Sequence, residues 1–112
     1  MYIAMNRFRV LKGEEDAFES VWRARESRLH ELPGFVSFDL LRGPAGEAHT
    51  LYASHTVWAS KAAFTAWTQS EQFRDAHKGA GQGRPLTAGH PEFEGFEAVE
   101  GLSAGSQAKS AA

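Results

Sequence analysis

The succession of hydrophobic periods along this chain constrains its fold more than any single residue does. Tyr2 to Val10 alternates with a period of two, placing Ala4, Asn6, Phe8 and Val10 on one strand face and Ile3, Met5, Arg7 and Arg9 on the other. Lys12-Gly13 closes that strand. From about Glu14 to Leu32 the spacing becomes helical, with an apolar stripe of Phe18, Val21, Trp22, Leu29 and Leu32. Glu14, Glu15 and Asp16 suit the positive end of the helix dipole, and Pro33-Gly34 stops the helix. Phe35 to Arg42 predicts a second strand, Gly43-Pro44-Ala45-Gly46 a turn, and Ala48 to Trp58 a third strand. Ser60 caps a short helix from Lys61 to about Gln69, and Ser70-Glu71 restarts a helix expected to reach Lys78. Residues 79–91 are expected as a flexible glycine-rich loop, and Glu92 to Glu100 alternates again as the last strand.

The order β-α-β-β-α-β is the split βαβ, ferredoxin-like plan, an α+β fold with an antiparallel sheet. Both faces of the strands carry large apolar groups: Leu51, Ala53 and Val57 on one side of the third strand, Tyr52 and Trp58 on the other. A sheet with helices on one side leaves its second face polar. A partner's sheet over that second face explains the pattern, so a homodimer is expected. The 112 residues make one domain, read as residues 1–101, with 102–112 a small, polar, disordered tail.

Composition removes several function classes. The chain has no cysteine, which excludes disulfides, thiolate metal sites, Fe–S clusters and cysteine nucleophiles. Its net charge is −2, and its Lys and Arg residues are scattered, so no basic stripe marks a nucleic-acid partner. No apolar run approaches the ~20 residues of a membrane span, and the first residues lack the pattern of a signal peptide. A soluble, cytoplasmic protein is the expectation. Eight Phe, three Trp and two Tyr are enough rings to line a pocket, a core or a dimer interface.

Few residues invite chemistry individually. His49 and His55 share a strand face but stand ~20 Å apart at strand rise, too far to share one ion. No HExxH, GxSxG or paired-carboxylate spacing is present. Gly79-x-Gly81-x-Gly83 follows a helix instead of a strand, which fits a connector better than a phosphate loop. Asn6 is unusual, because Asn is depleted in strands and its amide must be satisfied by a bulge or by a ligand. Phe64 and Trp67, three residues apart on the short helix, fit a core face first and a pocket only when other residues point to one. Trp67 and His77 are ten residues apart and would point about 80° from each other on one straight helix. They can face one pocket only if the helix bends near Ser70.

Taken together, these residues resemble a known family. Thr56 to Lys78, TVWASKAAFTAWTQSEQFRDAHK, is similar to the TVW-S-K-AF--W--S--F--AHK pattern of the IsdG-type heme-degrading monooxygenases, within the antibiotic-biosynthesis monooxygenase fold. Met5-Asn6-Arg7 through Lys12-Gly13, and Leu32-Pro33-Gly34-Phe35, add looser matches over the first 80 or so residues. The resemblance implies a dimeric α/β barrel binding one heme per subunit, both as substrate and as oxygen-activating cofactor, with electrons from an external reductant. It implies that His77 is the proximal ligand of the heme iron. Asn6 matches the distal asparagine, whose amide hydrogen-bonds near the ligand on iron, and Trp67 the tryptophan that presses the porphyrin out of plane. Phe64 and Trp58 match rings near or supporting the pocket. Beyond Lys78 the match fails, so His90, Arg84 and the arginines of the first helix are only candidates for meeting the propionates. Two rivals stand beside this expectation: a cofactor-free quinol or anthrone monooxygenase of the same fold, and a heme-binding protein without chemistry.

Overall fold

The computed structural model describes residues 1–25, 28–77 and 83–104. Its elements follow the expected order: β1 (Tyr2–Leu11), α1 (Glu15–Ala24), a 3-10 turn (Leu29–Glu31), β2 (Phe35–Ala45), β3 (His49–Trp58), α2 (Lys61–Thr68), α3 (Glu71–Ala76) and β4 (Glu92–Glu97). The strands form one antiparallel sheet in the order β2-β3-β1-β4. Because cross-strand partners share a face, the ladder sorts every side chain. Tyr2, Ala4, Asn6, Phe8 and Val10 stand beside Trp58, Thr56, Ser54, Tyr52 and Thr50 on the inner face. Ile3, Met5, Arg7 and Arg9 stand beside Val57, His55, Ala53 and Leu51 on the outer one.

The inner face holds two separate hydrophobic clusters. One gathers Tyr2, Ala4, Leu29 and Trp58, with Leu32, Phe35, Ala63, Phe64 and Trp67 against it. The other gathers Val10, Phe18 and Tyr52, with Phe8, Trp22, Leu40 and Leu86. This division corrects the long first helix. Phe18 and Trp22 belong to the second cluster and Leu29 to the first, so one straight helix does not serve both. Accordingly α1 stops at Ala24, Arg25 is extended, and Arg28 takes the left-handed conformation (φ 52°) before the 3-10 turn. Val21, expected in the apolar stripe, is 48% exposed.

Two strand ends also differ from expectation, as does the loop before β4. β2 runs through Gly43 and Pro44 to Ala45, where the sequence predicts a turn. A register shift between Arg42 and Ala45 absorbs the proline, which an edge strand tolerates because its missing N–H removes no interior ladder bond. β4 ends at Glu97 instead of Glu100, since Glu97 already pairs with Tyr2, the first residue of β1. The 79–91 segment is tied down over its described part. Leu11 N–H donates to the Leu86 carbonyl (2.9 Å), Ala88 N–H to Arg9 (2.8 Å), and Arg84 pairs with Glu14 (2.6 Å). The remainder of that loop and the expected helix end at Lys78 lie outside the described residues, as does the tail from 105 on. Gly34 makes the β2 approach possible: at φ 83° it would bring a Cβ within 2.6 Å of the Ala63 Cβ.

A buried carboxylate anchors α1 to the sheet. Glu19 accepts from the Tyr52 hydroxyl, from Arg42 (2.7 Å) and from Arg23 (3.0 Å). These bonds, the Tyr52 one foremost, hold its carboxyl at about 2, below the ordinary 4.5. A depressed folded-state value means the contribution is complete above pH 4.5 and is lost as pH falls towards 2. The urea midpoint of the wild-type protein is therefore expected to drop across that window. In Glu19→Gln, which cannot titrate, the drop should be smaller and the midpoint lower at neutral pH.

Candidate functional site

Between the two hydrophobic clusters lies a cavity of about 700 Å³, within the ~300–1,000 Å³ of typical small-molecule sites. The sheet is its floor: Ala4, Asn6 and Phe8 from β1, Ser54 and Thr56 from β3, Phe38 from β2 and Phe93 from β4. Trp22 and Arg25 close one side from the end of α1, and Leu29 joins them from the 3-10 turn. Phe64, Trp67 and Thr68 of α2, and Phe73, Ala76 and His77 at α3, form the opposing wall.

The helical wall depends on a break at Ser70. α2 ends at Thr68 and α3 begins at Glu71, with Ser70 extended between them (φ −89°, ψ 162°). Its hydroxyl donates to the Trp67 carbonyl (2.6 Å) and accepts from Phe73 N–H (3.0 Å), so one side chain ends one helix and caps the next. The bend that Trp67 and His77 require is thus present, and their rings stand 6.1 Å apart along one cavity wall. Two contacts tie α3 back to the 3-10 turn: Arg28 with Asp75 and Gln72 with Glu31 (3.2 Å).

His77 is exposed overall and lines the cavity. Its ring stacks on Phe73 (4.1 Å between centroids, 28°), and Nδ1 lies 2.8 Å from the Phe73 carbonyl oxygen. A carbonyl oxygen can only accept, so Nδ1 carries the proton and, in the neutral ring, Nε2 is left as a lone pair. Asn6 pairs with Ser54 and Phe93 without a bulge, and its amide bonds to no side chain or carbonyl among the described residues. The satisfied-at-a-bulge alternative is therefore absent at this residue. Trp67 stacks on Trp58 (5.5 Å, 29°), which is fully buried behind it and supports the wall without lining it. Both indole N–H groups are buried without a partner among the described residues, so packing fixes these rings. Phe64 stacks on Phe93 (5.7 Å, 15°), which is half exposed at the cavity edge.

Asn6, Phe64, Trp67 and His77 thus meet at one cavity, and Trp58 braces it. Of the arginines in the first helix, Arg25 lines the cavity, its guanidinium 4.2 Å above the Trp22 ring. Burial lowers its pKa. Arg84 is engaged by Glu14 instead, and neither it nor His90 lines the cavity. Ser54, Phe38 and Phe93 were not anticipated as lining residues. Strand alternation puts Ser54 and Phe38 on the Asn6 face, but only once the ladder register is known.

Residues 1–79 match the antibiotic biosynthesis monooxygenase family. The chain is 31% identical over 109 residues to the heme oxygenase (mycobilin-producing) of Mycobacterium tuberculosis, covering 97% of each protein. It is 30% identical over 79 residues to a heme-degrading monooxygenase of Shouchella clausii, covering 70% of this chain and 73% of that one. Among solved structures, the heme-degrader MhuD of Mycobacterium tuberculosis, with two hemes bound in its active site, aligns with a TM-score of 0.69 at 28% identity over 94% of this chain and all of that one. SnoaB, a cofactor-independent oxygenase from Streptomyces nogalater, shares the fold at TM-score 0.64 and 24% identity over 92% of this chain and 97% of that one.

Removing the Ser70 hydroxyl tests the helical wall. Ser70→Ala is expected to lower stability by roughly 1 kcal/mol, the usual value of an N-cap, as read from urea denaturation. Ser70→Asn, which can still cap α3, should recover most of it.

Proposed function

The chain belongs to the antibiotic biosynthesis monooxygenase family, and from that premise we propose that it is a heme-degrading monooxygenase. It opens heme with molecular oxygen and external electrons to an open-chain tetrapyrrole and free iron. The observation that carries this reading is the His77 ring. Its Nδ1–H is held by the Phe73 carbonyl, which leaves the Nε2 lone pair available as a metal ligand at the edge of an apolar, ring-lined cavity. The cavity's volume and its aromatic walls suit a large planar guest.

Each site residue takes a part. His77 would hold the iron through Nε2. Asn6, with an uncommitted amide on the sheet floor, supplies a hydrogen-bond donor on the sheet side of the guest. Trp67, rigid between Trp58 and Phe73 (4.8 Å), would pack against a bound macrocycle, and Phe64 with Phe93 would exclude water from one edge. Arg25 offers a partly desolvated cation to the guest's carboxylates. Heme, when bound, supplies the redox-active iron and is itself the molecule that is oxidised.

The assembly is a homodimer in this reading. On the outer face Ile3, Val57 and Phe96 form one apolar row, Met5 stands in the next row, Leu41 and Leu51 lie farther along the same face, and no helix among the described residues covers them. Arg7 and Glu94 cross the same face as an ion pair at 2.8 Å. A second sheet against this surface hides the apolar rows.

Hemin titration is the direct test. Wild-type protein should give a saturable Soret shift at one heme per chain, and ascorbate under air should bleach it to a linear tetrapyrrole. His77→Ala should keep its far-UV circular dichroism while losing both the shift and the turnover. Unaltered turnover in that variant would end the assignment, and a wild-type protein blind to hemin would favour cofactor-free chemistry. Sedimentation should give the mass of a dimer, and Leu51→Arg on the outer face should shift it towards monomer.

A further inference from the structure

Asn6 is not alone on the cavity floor. Ser54 is its direct partner in the β1–β3 ladder, and both line the cavity. Direct cross-strand partners hold their Cβ atoms roughly 4.5–5.5 Å apart on one face. Ser54 is only 7% exposed, yet its hydroxyl bonds to none of the described residues. Thr56, two residues on, behaves as a buried hydroxyl normally does and donates to the Ala4 carbonyl at 3.3 Å. Apart from Asn6 and Thr56, the floor next to Ser54 is ring and methyl: Ala4, Phe8 and Phe38. An apolar guest that fills this space strips the water from the Ser54 hydroxyl, which must then pair with the guest or go unmatched.

We propose that Ser54 is a ligand-contacting residue, forming with Asn6 a two-donor polar seat on the sheet side of the cavity for a small polar atom or diatomic held there. This rests on the heme reading and extends it. His77 enters from α3, whereas Asn6 and Ser54 rise from the sheet, so the seat serves whatever small ligand occupies the sheet side of a bound heme. Serine provides a donor that rotates to follow its acceptor, next to an amide whose direction is set by one strand.

The test uses the ferric heme-loaded protein with cyanide as the probe, titrated by absorbance. Ser54→Thr and Ser54→Val have nearly the same shape and differ by a hydroxyl against a methyl, so comparing them separates hydrogen bonding from packing. Cyanide should bind roughly 3- to 10-fold more weakly to the Val variant than to the Thr variant, the worth of one neutral hydrogen bond. Ser54→Ala should follow Val, and the hemin affinity of each variant is measured beside its cyanide affinity. Equal cyanide affinity in the Thr and Val variants, with heme bound to both, overturns this inference alone. Absence of a Soret shift in the wild-type protein overturns the functional reading and this inference with it.

Discussion

The hydroxyl of Ser70 couples the two short helices that wall the cavity. By donating to Trp67 and accepting from Phe73, it makes the end of one helix the start of another. Without that break, ten residues of continuous helix would point Trp67 and His77 about 80° apart. With it, Phe73 falls between them, in contact with both rings, and its carbonyl fixes which nitrogen of His77 carries the proton. Capping, aromatic packing and tautomer selection are therefore one local event. The ion pair of Arg28 with Asp75 then holds the short helix against the turn after α1. That pair is exposed and contributes little to stability by itself.

The cavity is the space left by a divided core. Along β1 the inner face reads Tyr2, Ala4, Asn6, Phe8, Val10, and along β3 it reads Trp58, Thr56, Ser54, Tyr52, Thr50. The ring pairs Tyr2–Trp58 and Phe8–Tyr52 flank small or polar side chains in the middle, so each end packs its own cluster while the centre stays open. The opening is thus written into the strands themselves, and the helices only wall it.

Much of this was legible beforehand. Period-two alternation located the first and last strands, turn residues bounded the second, and the Ser60 and Ser70 caps located both short helices, because these signals are local. The first helix was read too long because Leu29 and Leu32 keep a helical spacing while belonging to a different cluster; only the tertiary arrangement separates them. Gly43-Pro44 carries turn chemistry, yet on an edge strand a bulge accommodates both residues. Asn6 stood out because an amide is unusual in a strand. Ser54 did not stand out, since a serine there is unremarked until its partner across the ladder is known. Arg25 was one of several arginines in its segment until the early end of α1 put it beside Trp22.

β1 is central in the sheet, and one of its two neighbours, β4, arrives some ninety residues later. While the chain is being synthesised, that edge of β1 has open hydrogen-bonding groups and the Phe93 side of the cavity does not exist. The cavity is consequently completed late, and a ribosome-bound precursor lacking β4 has neither that edge of β1 paired nor the Phe93 wall in place.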